Sequence, residues 1–316
     1  MVNTAGRPKN KNQTKPLKAK AWFYYVAARL HLKRTGYALE NYLEPEKVRR
    51  NDDGTVTRPC KYDGYKKGLH IPDPDLVDEV DLIAPGSKSL LYHPFWEVAN
   101  PIQDITELYI HLNKLSSGIV ELLFHPGTEP GKVPQRHRKD YLATLDALSK
   151  KADLDAFTAC IGLLQEANLT REPILHVFYM KPTLAAFRRL IYYPPFPDIA
   201  HELFEYLTNT FFTKLNGKEV DKLVSEVNVD RAIFYSHSLL SIVDDLGILR
   251  KFTFPPVSCM HIIERYMTTR AYTTFLADES DKDWVAYKKL PEIRNLTRSL
   301  RRWESKQSNF STLPWS

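Results

Sequence analysis

Apolar residues recur every three or four positions along most of this chain, and prolines and glycines interrupt the recurrence at intervals close to a helix length. One such stripe contains Leu154, Phe157, Ile161 and Leu164. This spacing places the apolar side chains on one face of an α-helix, whereas a half-buried strand requires strict alternation. No stretch shows sustained alternation, and no segment repeats at a fixed period. The sequence therefore predicts an all-α protein.

The composition is that of a folded, soluble protein, with 43% hydrophobic and 26% charged residues. Only 12 of the 316 residues are glycine, which disfavours sandwiches, barrels and glycine-rich phosphate loops. The three cysteines are far apart and form no CxxC pair, which favours free thiols in a reducing compartment. No apolar run reaches the ~20 residues of a membrane span, and the N-terminus lacks the apolar core of a secretion signal. We therefore predict a cytoplasmic protein without a membrane partner.

Charge is distributed unevenly. The first 39 residues contain nine basic side chains and no acidic one, and residues 1–70 carry a formal charge of +10. The remaining residues hold 28 Lys or Arg against 32 Asp or Glu, so the whole excess of +6 belongs to one end. A basic segment on a near-neutral body is typical of a protein with a polyanionic partner, most often nucleic acid.

Breaks in the helical pattern divide the chain into three regions. Residues 1–18 are polar and basic, and we predict that they are disordered in isolation. Residues 19–95 are predicted to contain four helices. The first runs from about residue 18 to a C-cap at Gly36, and the second covers 37–43. The third covers 59–67 and stops at Gly68, the fourth lies between Pro72 and Pro85, and residues 44–58 are predicted to be a loop. Residues 96–316 are predicted to form a bundle of roughly eight helices that acts in partner binding, oligomerisation or as an effector.

The stretch from Tyr65 to Pro72 contains an aromatic residue, then Gly68 three positions later, then proline seven positions after the aromatic. In this respect residues 19–86 resemble the helix-turn-helix repressors of the Cro/C1 (XRE-like) type. The resemblance implies that the aromatic packs the recognition helix on the core, that Gly68 allows a left-handed exit, and that Pro72 starts the next connection. About fifteen residues separate Leu43 from Pro59, whereas the family has a turn of a few residues there.

If the resemblance holds, one set of residues faces duplex DNA: Arg58, Lys61, Tyr62, Lys66 and Lys67. Among them only Arg58 has the planar fork that reads guanine bidentately, whereas lysines act on phosphates as point charges. The N-terminal region adds Arg7, Lys9 and Lys11, and the Gly6-Arg7-Pro8 core of an AT-hook, although Ala5 stands where a hook has arginine. A solvated charged tail is the alternative interpretation of that segment.

The last predicted helix has a basic face that contains Arg294, Arg298, Arg301 and Arg302, opposite an apolar face. This helix either caps the bundle or provides a second basic surface.

Signatures of catalysis and of cofactor or metal binding are missing from the sequence: there is no GxGxxG, GxxxxGK[ST], GxSxG or HExxH. The sequence therefore favours a non-enzymatic DNA-binding protein without a cofactor, in which the helical domain regulates, oligomerises or binds a partner. The alternative is a helical protein-interaction protein whose basic N-terminus is a nonspecific nucleic-acid-binding arm. An enzyme with an unrecognised helical active site is the third possibility.

Overall fold

Helices make up nearly all the regular structure of the described residues, which confirms the all-α fold class. The computed structural model describes residues 13–126, 133–137, 141–151 and 153–212, together with Val224, Val227, Val229, Asp230 and Ile233. No helix in that part of the chain is long and apolar enough to cross a membrane.

Five helices and one β-hairpin form the N-terminal part: α1 (Lys15–Arg29), α2 (Gly36–Leu43), β1 (Arg49–Arg50), β2 (Val56–Thr57), α3 (Lys61–Lys66), α4 (Pro74–Ile83) and α5 (Ser87–Leu91). The strands β1 and β2 pair antiparallel, with Arg49 opposite Thr57. Trp22 and Val26, one turn apart on α1, are fully buried against Leu39 of α2 and Tyr62 of α3. The helical periodicity of the sequence therefore marks the buried face of α1 correctly.

Two details of this region differ from the sequence predictions. Gly36 does not cap the end of α1, because the hydroxyl of Thr35 accepts a hydrogen bond from the Ala38 amide and starts α2 there. The basic tail is predicted to extend to residue 18, yet α1 already begins at Lys15, with Pro16 in its first turn, where a missing amide proton costs nothing. The predicted loop 44–58 contains a 3₁₀ turn at Pro45–Lys47 and the hairpin of β1 and β2.

Seven further helices continue the chain: α6 (Phe95–Val98), α7 (Ile105–Leu112), α8 (Ser117–Leu123), α9 (Tyr141–Lys151), α10 (Leu154–Leu169), α11 (Pro173–Leu190) and α12 (Phe196–Leu207), and a π-helical turn at Thr208–Phe212 follows. The helix α10 is central, since residues 156–167 are all buried, with α6, α7, α9 and α11 packed against it. Gly162 permits this packing, because a Cβ atom there would lie 2.7 Å from a methyl group of Leu112.

The helix α1 is attached to the later helices by polar contacts as well as by packing. The hydroxyl of Thr14, just before α1, donates to the backbone oxygen of Trp96 at 2.9 Å. The Lys20 ammonium pairs with Glu202 on α12 at 2.5 Å. By its internal contacts the chain divides into a unit of residues 1–232 and a unit of residues 233–316. The boundary predicted between residues 95 and 96 therefore falls inside α6 and inside the first unit.

Candidate nucleic-acid interface

Arg58 connects the predicted recognition helix to its neighbour. Its Nη1 atom donates to Glu40 of α2 at 2.5 Å, and its Nη2 atom donates to Asp63 of α3. The Glu40 side chain is only 1% exposed and that of Arg58 is 20% exposed. Both ends of the guanidinium fork are thus occupied by carboxylates. Arg58, predicted to read guanine, instead holds α2 and α3 together.

A second group of charges lies beside Arg58, Glu40 and Asp63, which we call the Arg58 clamp. The carboxylate of Glu44, at the end of α2, accepts hydrogen bonds from Lys47 and pairs with Lys61 of α3 at 2.6 Å. Burial by itself would raise the pKa of Glu44, but the two ammonium groups outweigh that effect and lower it. Lys61, predicted to contact DNA, therefore has an intramolecular partner.

Tyr62 and Tyr65 lie inside the protein. Tyr62 is fully buried, so it does not face DNA as predicted. Its ring meets that of Tyr65 edge to face at a centroid distance of 5.5 Å, and Tyr65 meets Trp22 of α1 in the same way at 5.7 Å. Burial, followed by the nearby charge of Glu44, raises the pKa of Tyr62 well above its usual value. The aromatic packing role that the sequence pattern implies for Tyr65 is confirmed.

The C-terminal end of α3 lies against the start of α1 and against the loop that follows α1. Gly68 has a φ of +73°, and a Cβ atom there would lie 2.8 Å from the backbone oxygen of Pro16, at the start of α1. The Lys66 ammonium donates to the backbone oxygen of Arg34, in the loop after α1, at 2.9 Å. The left-handed exit predicted at Gly68 is confirmed, and it brings two loops close to the end of α3.

Three exposed lysines are sequence neighbours of the residues in these contacts: Lys15, next to Pro16; Lys33, next to Arg34; and Lys67, next to Gly68. We refer to Lys15, Lys33 and Lys67 as the α3-end cluster. Within the described residues none of the three takes part in an ion pair. Lys15 also borders a cleft of about 500 Å³ beside α3, lined in addition by Tyr65, Leu69 and His70 among others. Sequence reasoning singled out Lys67 alone, because Lys15 and Lys33 are far from it in the sequence.

The remaining predicted nucleic-acid-binding residues lie outside the described residues. These are Arg7, Lys9 and Lys11 in the tail, and Arg294, Arg298, Arg301 and Arg302 in the last predicted helix. The described structure begins at Gln13, two residues before Lys15.

The helical body contains one polar constellation that the sequence did not reveal. His93 Nε2 lies 2.9 Å from Asp155 Oδ1, and the other oxygen of this carboxylate accepts the Ser116 amide proton at 3.1 Å. The His93 Nδ1 atom accepts the amide proton of Phe95 at 3.0 Å, so both ring nitrogens are engaged. These hydrogen bonds fix α10 to the preceding turns. The two residues are 62 positions apart, and no local pattern marks them.

Metal ligation has no candidate in the described part of the chain, where no group of three His, Cys, Asp or Glu side chains is arranged around a common point. No protein-family model matches the chain, and neither a curated protein nor a solved structure matches it. The resemblance to the Cro/C1-type repressors therefore stays a prediction.

Proposed function

We propose that this protein binds duplex DNA through its N-terminal helices, with the α3-end cluster and the basic tail on the phosphate backbone and the helical body as a regulatory or oligomerisation domain. The observation that carries the proposal is that the described N-terminal helices expose three lysines without an ion pair, Lys15, Lys33 and Lys67, and that Lys15 and Lys67 both adjoin the contact between Pro16 and Gly68. Exposed cations without acidic partners raise the local potential for a polyanion.

The side chains available on this surface define the kind of recognition that is proposed. Lysine ammonium groups are compact charges that contact phosphate oxygens, and such contacts position a protein without reading bases. Because Arg58 is held by two carboxylates, the proposal assigns it no base contact. We therefore expect strong, salt-dependent binding with little sequence preference from the described residues.

The test is a comparison of two triple variants of the full chain on a random-sequence duplex over a salt series. Lys15→Gln/Lys33→Gln/Lys67→Gln removes the α3-end cluster. The matched control removes three exposed lysines of the helical body: Lys114→Gln/Lys151→Gln/Lys181→Gln. Each phosphate contact contributes about 0.9 to the slope of log K against log salt, so loss of three contacts should reduce the slope by about 2.7. The control should keep the wild-type slope.

Identical slopes for both variants would contradict the proposal. Lysines at a helix C-terminus also interact favourably with the helix dipole, so the melting temperature must be measured alongside. Reduced binding at an unchanged melting temperature identifies a role in binding rather than in folding.

A protein-interaction role for the helical body is the second candidate function. Ile174 and Phe178, one turn apart on α11, are 83% and 39% exposed. Apolar side chains stacked along a helix in this way are typical of a surface that packs against another protein. The second candidate would gain support if Ile174→Ser/Phe178→Ser abolished self-association or partner binding while the DNA affinity remained unchanged.

A further inference from the structure

The β-hairpin between α2 and α3 projects from the protein. All nine residues from Arg49 to Thr57 are exposed, so no apolar packing holds this segment in place. Its tip is instead ordered by its own hydrogen bonds: Asp53 Oδ1 accepts from the amide and the hydroxyl of Thr55 at 2.9 and 2.6 Å. The Asn51 side-chain amide donates to the same hydroxyl at 2.9 Å. The hairpin is therefore pre-organised without being buried.

The base of the hairpin is fixed on both sides. Arg58, which follows β2, is bound by Glu40 of α2 and Asp63 of α3. Lys47, which precedes β1, is paired with Glu44. These contacts fix the position of the hairpin relative to α3.

The two arginines of β1 are the free cations of the hairpin. Arg49 and Arg50 are exposed, and no ion pair in the described part of the chain involves either of them. The tip of the hairpin also contains two carboxylates, Asp52 and Asp53, and the hydrogen bonds from Thr55 lower the pKa of Asp53. A guanidinium group binds phosphate oxygens bidentately and is weakly hydrated, so two unpaired arginines on an ordered arm are suited to a phosphodiester backbone.

The hairpin and Lys67 lie at opposite ends of α3. The hairpin is anchored at the N-terminal end of α3 through Arg58, whereas Lys67 follows its C-terminal end. Exposed cations at both ends of one helix can contact phosphates of the same duplex, and such contacts position a protein without reading bases.

We propose that Arg49 and Arg50 bind backbone phosphates of the same duplex as the α3-end cluster. This inference rests on the proposed DNA-binding function and assigns the hairpin a positioning role in it. Both arginines contact phosphates rather than bases, so their loss weakens binding to all sequences alike.

The test uses the full chain and a labelled random-sequence duplex, with anisotropy measured over a salt series. Arg49→Gln/Arg50→Gln should reduce the salt slope by about 1.8 and weaken binding about 30-fold at 0.15 M salt. The control Lys114→Gln/Lys181→Gln removes the same charge from the helical body and should leave both values unchanged. Both variants should melt like the wild type, since all four side chains are exposed.

The outcomes separate the two proposals. If the hairpin variant behaves like its control while the α3-end cluster variant loses affinity, the hairpin proposal is overturned and the DNA-binding function stands. If the hairpin variant and its control lose affinity equally, the effect is one of net charge, and the hairpin proposal is also overturned. If neither the hairpin variant nor the cluster variant loses affinity, the DNA-binding function fails. Selective loss in both of these variants supports phosphate contacts by both groups.

Discussion

Replacing Arg58 with alanine should destabilise the fold rather than remove a base contact. The change leaves the Glu40 carboxylate, 1% exposed, without its cation. Removing one partner of a buried ion pair costs about 3–5 kcal/mol, because the remaining charge stays buried and unpaired. For a unit of this size each kcal/mol lowers the melting temperature by about 2–4 °C, so we expect a decrease of roughly 10 °C.

Thermal unfolding followed by circular dichroism measures this effect, and two variants serve as controls. Arg49→Ala removes an exposed arginine nearby and should change stability by no more than about 0.5 kcal/mol. Arg58→Met/Glu40→Gln removes both charges together, so it should recover much of the loss. An Arg58→Ala protein that melts like Arg49→Ala and loses its preference for one DNA sequence would refute the clamp and restore the base-reading role predicted from the sequence.

Two further predictions concern the end of α3 and the helical body. Gly68→Ala should lower the free energy of unfolding by at least about 2 kcal/mol, since it places a Cβ atom against Pro16 in a left-handed conformation. Gly54 also has a positive φ but has open space around it, so Gly54→Ala should lower the free energy of unfolding by only about 1–2 kcal/mol. Equal denaturant midpoints for the two variants would show that the contact at Pro16 is unimportant. Partial burial would raise the pKa of Asp155, but hydrogen bonds, first that from His93, outweigh it and hold the pKa at about 2. The ionised carboxylate therefore stabilises the fold above about pH 4, and this contribution is lost as the pH falls through about 2. Between about pH 5 and 2, the Asp155→Asn variant should lose less stability than the wild type. Parallel curves of melting temperature against pH for the two proteins would contradict this.

Features determined within a few residues of the chain could be predicted from the sequence. The left-handed exit at Gly68 and the packing of Tyr65 depend on residue types at short spacing, and both are present. The helix α11 was not predicted, because its sequence does not follow a simple helical pattern. Pro182 lies inside it, although proline lacks an amide proton and usually ends a helix. Packing against α10 outweighs that local preference.

The candidate interface was only partly predictable, because tertiary contacts determine which of its cations have a carboxylate partner. The sequence shows that Arg58 is basic, but its partner Glu40 lies 18 positions away on another helix. Conversely, Lys15 lies near Lys67 only because the start of α1 packs against the end of α3. The separation of paired from unpaired cations therefore required the structure.

The attachment of α1 to both Trp96 and Glu202 has a geometric consequence for the proposed complex. Because α1 is bonded directly to both residues, the helical body would take a fixed orientation relative to the N-terminal helices that we propose contact DNA. Two copies on one duplex would then present their bodies on the same side only when their sites are separated by multiples of about 10.5 base pairs. Any contact between those bodies should therefore vary periodically with site spacing, and inserting half a helical turn should abolish it.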